Sequence, residues 1–265
     1  MRLDIYLTEK EFVNSRERGK RLIKDGKVSV NGKVCTKPSF DVNDADVISV
    51  ENVPDYVGRG LIKLETAFQA FEFDIEDKVC ADIGASTGGF TQCMLRYGAK
   101  KVYAVDVGHD QLDSSLVSNP RVINREGVNA RYLTSDFFDE TPEFMSVDLS
   151  FISLTLVMPA ITSCLNNNGE IVALIKPQFE AGKQALNKKG IVKDPKDHIR
   201  VLETLFGLFQ NLGLDVKGAV PSAIRGGDGN IEYLAHLKKS DEISRNEINV
   251  KELVKSAFDR FSEEK

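Results

Sequence analysis

The stretch Asp82-Ile83-Gly84-Ala85-Ser86-Thr87-Gly88-Gly89 constrains the fold of this chain more than any other. The apolar run Val79-Cys80-Ala81 before it reads as a buried strand, and the glycines turn that strand into a helix beginning near Gly89. Glycine permits backbone angles closed to other residues and lets the main chain approach a ligand closely. A helix N-terminus then offers unpaired N–H groups and a positive dipole end to a carboxylate or phosphate. A ligand that carries a nucleoside is therefore expected at this turn.

Beyond this turn the chain alternates between strand and helix. Strands are expected at 79–83, 101–107, near 121–125, 144–151, 170–175, near 214–220 and 231–237, with helices at 89–97 and 154–165 between them. Asp194-Pro195 opens another helix as N-cap and first-turn proline. A helix at 61–73 precedes the first strand, with Leu61, Leu64, Phe68 and Phe71 at helical spacing. Such alternation predicts an α/β, doubly wound, mostly parallel sheet. From Asp241 the chain reads as a charged connection and a terminal amphipathic helix.

The first fifty residues differ in character. Asn14 and Glu17 look like a capping-box helix start, Leu22 and Ile23 point inward, and Gly26 ends the helix. Val28 to Val34 alternates around Asn31-Gly32, a strong hairpin signal, and 47–50 supplies another strand. Between Ser15 and Lys37, eight basic residues (Arg16, Arg18, Lys20, Arg21, Lys24, Lys27, Lys33 and Lys37) stand against Glu17 and Asp25, in a chain of net charge −5. This stripe is either a nucleic-acid-facing surface or a solvated helix face. Glu51 to Gly60, punctuated by Pro54, Gly58 and Gly60, reads as a linker.

At 265 residues the chain suits one substantial domain plus a small one. Four scattered cysteines without ligand spacing point to free thiols in a reducing cytoplasm. The apolar stretches are strand-length, far below the roughly 20 residues a membrane helix needs, so no membrane partner is expected. The three histidines show no metal spacing, and His198 reads as a helix-surface residue. Neither Ser86 nor Ser150 has an acid–base partner nearby in sequence.

The second strand ends at Asp106, whose carboxylate can accept hydrogen bonds from both ribose hydroxyls of a nucleoside. That suits NAD or S-adenosylmethionine. The dinucleotide fingerprint is G-x-G-x-x-G, whereas here an acid precedes the first glycine and the pattern runs G-x-x-x-G-G. S-adenosylmethionine carries an ammonium and a carboxylate instead of a pyrophosphate. Asp82 is placed to face the ammonium, with the helix N-terminus near the carboxylate. The loop and Asp106 favour S-adenosylmethionine, with NAD and a structural turn left open. Glu126 and Asn129 are candidates for the adenine side, and Asp136 is another or an ordinary loop acid.

Four polar residues stand out against the apolar sheet: Lys63, Asp148, Lys176 and Glu232. Such groups are seldom buried unless paired. They are either a catalytic set or salt bridges closing the sheet.

On these residues the chain resembles the TlyA-type, hemolysin-annotated rRNA 2′-O-methyltransferases, with a catalytic domain of the FtsJ/RrmJ kind. The matching stretches include Tyr56 to Leu64, Asp82 to Phe90, Tyr103 to Gly108, Asn129 to Leu133, Asp148 to Leu154, Lys176 to Gly182, Asp194-Pro195 with His198, and Gly229 to Leu234. They run through nearly the whole chain in order. One departure is Gly58-Arg59-Gly60-Leu61, where the family pattern is Ser-Arg-Gly-Gly.

The resemblance implies a Rossmann-like S-adenosylmethionine-dependent methyltransferase domain at 61–240. It further implies a small α+β, S4-like (alpha-L) RNA-binding domain at 1–52, a linker at 53–60 and a C-terminal charged segment and helix at 241–265. It implies that Asp82, Gly84, Ser86, Thr87, Gly88, Gly89, Phe90, Asp106, Glu126 and Asn129 hold the cofactor.

It also makes Lys63, Asp148, Lys176 and Glu232 the catalytic tetrad, acting on a ribose 2′-hydroxyl of ribosomal RNA, with cytidine favoured. Lys176 is the expected base. Lysine's reference pKa is about 10.4, so desolvation or a nearby cation, Lys63, must make it neutral. Asp148 and Glu232 would position the ammonium groups. Lys183, Lys188, Lys189 and Lys193 belong to a loop that clamps RNA or merely connects. The competing readings are an RNA-binding ribosome-assembly factor with an idle methyltransferase domain, and a membrane-active haemolysin.

Overall fold

The computed structural model describes residues 1–13, 16–51, 56–244 and 248–262. The expected helix start at Asn14 therefore lies outside the described residues, as does part of the linker. The chain divides into two compact units, Met1–Asp55 and Tyr56–Lys265.

In the first unit, helices α1 (Leu3–Glu9) and α2 (Arg16–Lys24) accompany strands β1 (Val28–Val30), β2 (Lys33–Val34) and β3 (Ile48–Val50). The strands form an antiparallel sheet in the order β2-β1-β3. Asn31 and Gly32 both take left-handed angles, φ 52° and 77°, as a two-residue hairpin turn requires. Leu22 and Ile23 pack with Val28 and Val30 and with Leu3 and Leu7 from α1. Helix α1 carried no capping signal in the sequence. It is anchored by Asp4, fully buried, which accepts hydrogen bonds from Arg2 at 2.9 and 3.1 Å and from Arg16 at 3.0 Å. Those guanidinium partners hold the Asp4 carboxyl down at about 2.

The second unit runs α3 (Gly60–Ala70), β4 (Val79–Ile83), α4 (Gly89–Arg96), β5 (Lys101–Val105), α5 (Ser114–Val117), β6 (Val122–Arg125) and β7 (Phe144–Val147). It continues through α6 (Leu154–Ser163), β8 (Glu170–Ile175), α7 (Pro177–Glu180), α8 (Pro195–Asn211), β9 (Leu214–Pro221), β10 (Tyr233–Lys239) and α9 (Val250–Ser262). The seven strands are ordered β6-β5-β4-β7-β8-β10-β9. The first five are parallel, and β10 runs antiparallel to both β8 and β9.

Strand order reverses at β4, between β5 and β7. A ligand crevice is expected beyond the carboxyl ends of the strands at such a point. Apolar layers cover both faces: Val157, Met158, Ile161, Leu202 and Phe206 belong to one, Leu64, Phe90, Met94 and Leu116 to the other. The Asp194 carboxylate caps α8, accepting from the Lys196 N–H, with Pro195 in the first turn.

Two strands are shorter than the apolar runs implied. β5 stops at Val105, and β7 stops at Val147 instead of continuing to Phe151, so Asp148 follows the strand rather than interrupting it. Glu232 likewise sits one residue before β10.

Candidate active site

The turn after β4 is built around close approach. Gly84 has φ 93°, and a Cβ there would stand 2.3 Å from the Asp148 carbonyl oxygen. No other residue tolerates both the angle and the neighbour. Gly88 is the left-handed N-cap of α4, φ 95°. Gly89 lets the start of α3 lie against α4, since its Cβ would come within 2.9 Å of the Leu61 nitrogen. Phe90 is buried under Gly60, so its ring packs the helix pair and does not face a cleft.

Asp82 departs from the role expected of it. Its side chain is fully buried, with one oxygen accepting from Thr91 Oγ1 at 2.7 Å and the other from Ser146 Oγ at 2.9 Å. Burial pushes its carboxyl up to about 7, against the two hydroxyl donors. The carboxylate anchors the loop from beneath and has no opening towards an ammonium.

Beside this turn lies a cleft of about 140 Å³ lined by Gly84, Asp106, Val107, Asn129, Ala130, Leu149, Ser150 and Ile152, among others. Asp106 stands at the end of β5. Its two oxygens accept from the backbone N–H groups of Gly108 at 2.7 Å and Ser86 at 2.8 Å. Those bonds fix the carboxylate's orientation and leave each oxygen a second lone pair for a ribose hydroxyl. Asn129 lines the same cleft and accepts from the Arg131 N–H at 3.0 Å.

Glu126 does not line the cleft. Its carboxylate accepts from the N–H groups of Asp110, Gln111 and Leu112 at 2.9, 2.9 and 3.1 Å, which holds it below the usual carboxylate range. Asp136 is exposed outside the cleft, and Thr87 is exposed on the turn. The apolar lining by Val107, Ala130, Leu149 and Ile152 had no signal in the sequence. It suits a flat base, and Asp106 suits the attached sugar. The residues present therefore fit the nucleoside part of S-adenosylmethionine.

The four polar outliers form two ion pairs. Lys63 Nζ lies 2.7 Å from Glu232 Oε2, and Lys176 Nζ lies 2.6 Å from Asp148 Oδ1. All four side chains are at most 19% exposed. Lys176 Nζ also donates to Ser150 Oγ at 2.9 Å, a partner 26 residues away in sequence. Next to it Phe151 holds φ 63° and is 91% exposed, with its ring 5.2 Å from that of Phe179. A bulky aromatic residue is uncommon in the left-handed region and is strained there.

Lys183, Lys188, Lys189 and Lys193 are exposed. The turn carrying Lys188 and Lys189 is stitched together: Leu186 bridges Val192, and Asn187 Oδ1 accepts from the N–H groups of Lys189 and Ile191. In the amino-terminal unit Arg16 and Lys24 are exposed, while Arg18, Lys20 and Arg21 are half-buried. His198 is the opposite of a surface residue. It is fully buried, with Nδ1 3.0 Å from the Tyr233 hydroxyl and Nε2 3.1 Å from the Val192 carbonyl.

Among the described residues, no cluster of histidine, cysteine or carboxylate side chains is arranged to hold a metal. None of the described helices is long and apolar enough to cross a membrane.

The reversed strand order, the glycine turn and the fixed carboxylate at the end of β5 place the second unit in the Rossmann-like fold of S-adenosylmethionine-dependent methyltransferases. Residues 56–239 match the FtsJ-like methyltransferase family, and residues 1–48 match the S4 domain. Hemolysin A of Brachyspira hyodysenteriae is 43% identical, over 89% of this chain and 99% of its own. The 16S/23S rRNA (cytidine-2′-O)-methyltransferase TlyA of Mycobacterium tuberculosis is 38% identical, over 89% of each chain. A solved hemolysin-named protein from Streptococcus thermophilus, 42% identical, superposes with a TM-score of 0.80, covering 100% of this chain and 98% of its own. The chain belongs to the FtsJ-like methyltransferases that carry an S4 domain, the family of TlyA and hemolysin A.

Proposed function

We propose that this protein methylates the 2′-hydroxyl of a ribose, on a cytidine of ribosomal RNA, with S-adenosylmethionine as donor. The observation that carries this reading is the pair of ion pairs, Lys63–Glu232 and Lys176–Asp148, the second joined to the nucleoside cleft through Ser150. Two lysines and two carboxylates suit a hydroxyl that must be oriented and deprotonated.

S-adenosylmethionine, when bound, supplies an electrophilic methyl group on a positively charged sulfur. Asp106 would hold its ribose, and Gly84 and Asn129 would border it. Lys176 Nζ, held in place by Asp148 and Ser150, is the proposed acceptor of the 2′-hydroxyl proton. Lys63 would stand beside the reacting oxygen, and Glu232 fixes where its Nζ sits. The exposed Phe151 ring offers the substrate base a face on which to stack. Lys183, Lys188 and Lys189 contact phosphates, as do Arg16, Arg18, Lys20, Arg21 and Lys24 of the S4 unit, contacts that position RNA without reading its sequence.

The test is transfer of labelled methyl from S-adenosylmethionine to purified ribosomal subunits. Incorporation that makes one linkage resistant to alkali is expected. Label that appears only on bases would overturn the ribose assignment.

A further inference from the structure

We infer that His198 and Asn230 form a latch between the lysine-bearing turn 186–192 and Glu232, and that both are positioning residues for methyl transfer. The inference rests on the roles proposed for Glu232, Lys188 and Lys189.

Two buried side chains hold the stem of that turn. Asn230, 1% exposed, accepts from the Val192 N–H through Oδ1 at 3.1 Å and donates from Nδ2 to the Gly190 carbonyl at 3.0 Å. His198 reaches the same stem from α8. A carbonyl can only accept, so the bond to Val192 puts the proton on Nε2. Nδ1 is then left to accept from the Tyr233 hydroxyl. Burial lowers the imidazole's proton affinity, consistent with this neutral tautomer.

The placement of these partners gives the latch its consequence. Asn230 lies two residues before Glu232 and Tyr233 one residue after it. The short segment that carries the carboxylate is therefore tied on both sides to one turn, whose tip exposes Lys188 and Lys189. A histidine spending both nitrogens on two separate segments is costly to bury unless both bonds form. Filling space alone would be met by an apolar side chain. Contact of the tip with RNA phosphate is thereby transmitted to the position of Glu232.

The test uses the full chain, purified ribosomal subunits and labelled S-adenosylmethionine. Lys188→Ala with Lys189→Ala is measured in the unaltered chain and again with Tyr233→Phe or His198→Phe. Tyr233→Phe removes one hydroxyl and leaves the packing, so it guards against simple unfolding of the histidine variant. Each latch variant is expected to lower kcat by about tenfold, on the scale of small misplacements, with cofactor affinity unchanged. In the unaltered chain the lysine pair is expected to raise KM for RNA and lower kcat. With the latch cut, its effect on kcat shrinks by about threefold or more, the scale of coupling between connected residues. An undiminished lysine effect on kcat overturns the latch and leaves the lysines' RNA role standing. No lysine effect in the unaltered chain overturns that RNA role, and the latch with it.

Discussion

Lys176 and Glu232 each lie one step beyond Ile175 and Tyr233, the last paired residues of the antiparallel strands β8 and β10. The reversed direction of β10 is what makes this possible. Parallel strands present only their carboxyl ends at the cleft edge, and β10 brings its amino end there, with Glu232 just before it. Neither residue pairs with the other. Lys176 is held by Asp148 at the end of β7, and Glu232 by Lys63 from α3. Four chain segments thus converge on one edge, and the site depends on the register of the sheet.

Gly84 is where that register meets the cofactor turn. Alanine at this position brings a Cβ to 2.3 Å from the Asp148 carbonyl and keeps a residue at φ 93°. Gly84→Ala is expected to cost at least about 2 kcal/mol, and to lower the melting midpoint by about 5 °C or more. A shift of a degree would show that the turn relaxes freely.

Asp106 should govern cofactor binding without governing the chemical step. Asp106→Ala removes acceptors for the ribose and for the N–H groups of Ser86 and Gly108. Cofactor affinity is expected to fall by about tenfold or more, the scale of a bond to a charged group. Equilibrium binding of S-adenosylmethionine reads this directly.

Asp82 gives a signed pH dependence. Its carboxyl is raised to about 7 in the fold, so the stability of its neutral form is fully present below about pH 4 and is lost as pH rises through about 7. Asp82→Asn keeps a neutral group there at every pH. Between about pH 5 and pH 8, urea unfolding should move in favour of the variant relative to the unaltered chain. A constant difference would contradict the assignment.

Asp4 has the opposite sign. Its carboxyl is held at about 2 by Arg2 and Arg16. The stability it contributes is present above about pH 4 and is lost as pH falls towards about 2. Hydrogen exchange at Leu7 and Ile23 should accelerate over that window, and Asp4→Asn should remove the acid dependence.

Much of this was legible in the sequence, because strand runs, glycine punctuation and the Asp194-Pro195 cap are local signals. The tetrad Lys63, Asp148, Lys176 and Glu232 stood out because charges are rare against an apolar sheet, whereas the order of the strands in the sheet carried no local signal. Side-chain direction was not legible. Asp82, Phe90 and Glu126 sit at the spacing of cofactor contacts, yet one is buried beneath the loop, one packs a helix pair, and one builds a turn of backbone N–H groups. His198 lay on an amphipathic helix with nothing in its own segment to show Tyr233 or Val192 as partners. Helix α1 escaped notice because its anchor, Asp4, is stabilised in part by Arg16 from the next helix.

The most direct test of the central claim is single-turnover methyl transfer to ribosomal subunits by Lys176→Ala at saturating S-adenosylmethionine. The rate is expected to fall by about a hundredfold or more, the contribution of general acid–base catalysis, while cofactor binding is unchanged. A rate within a few-fold of the unaltered enzyme would contradict the assignment of Lys176 as the proton acceptor.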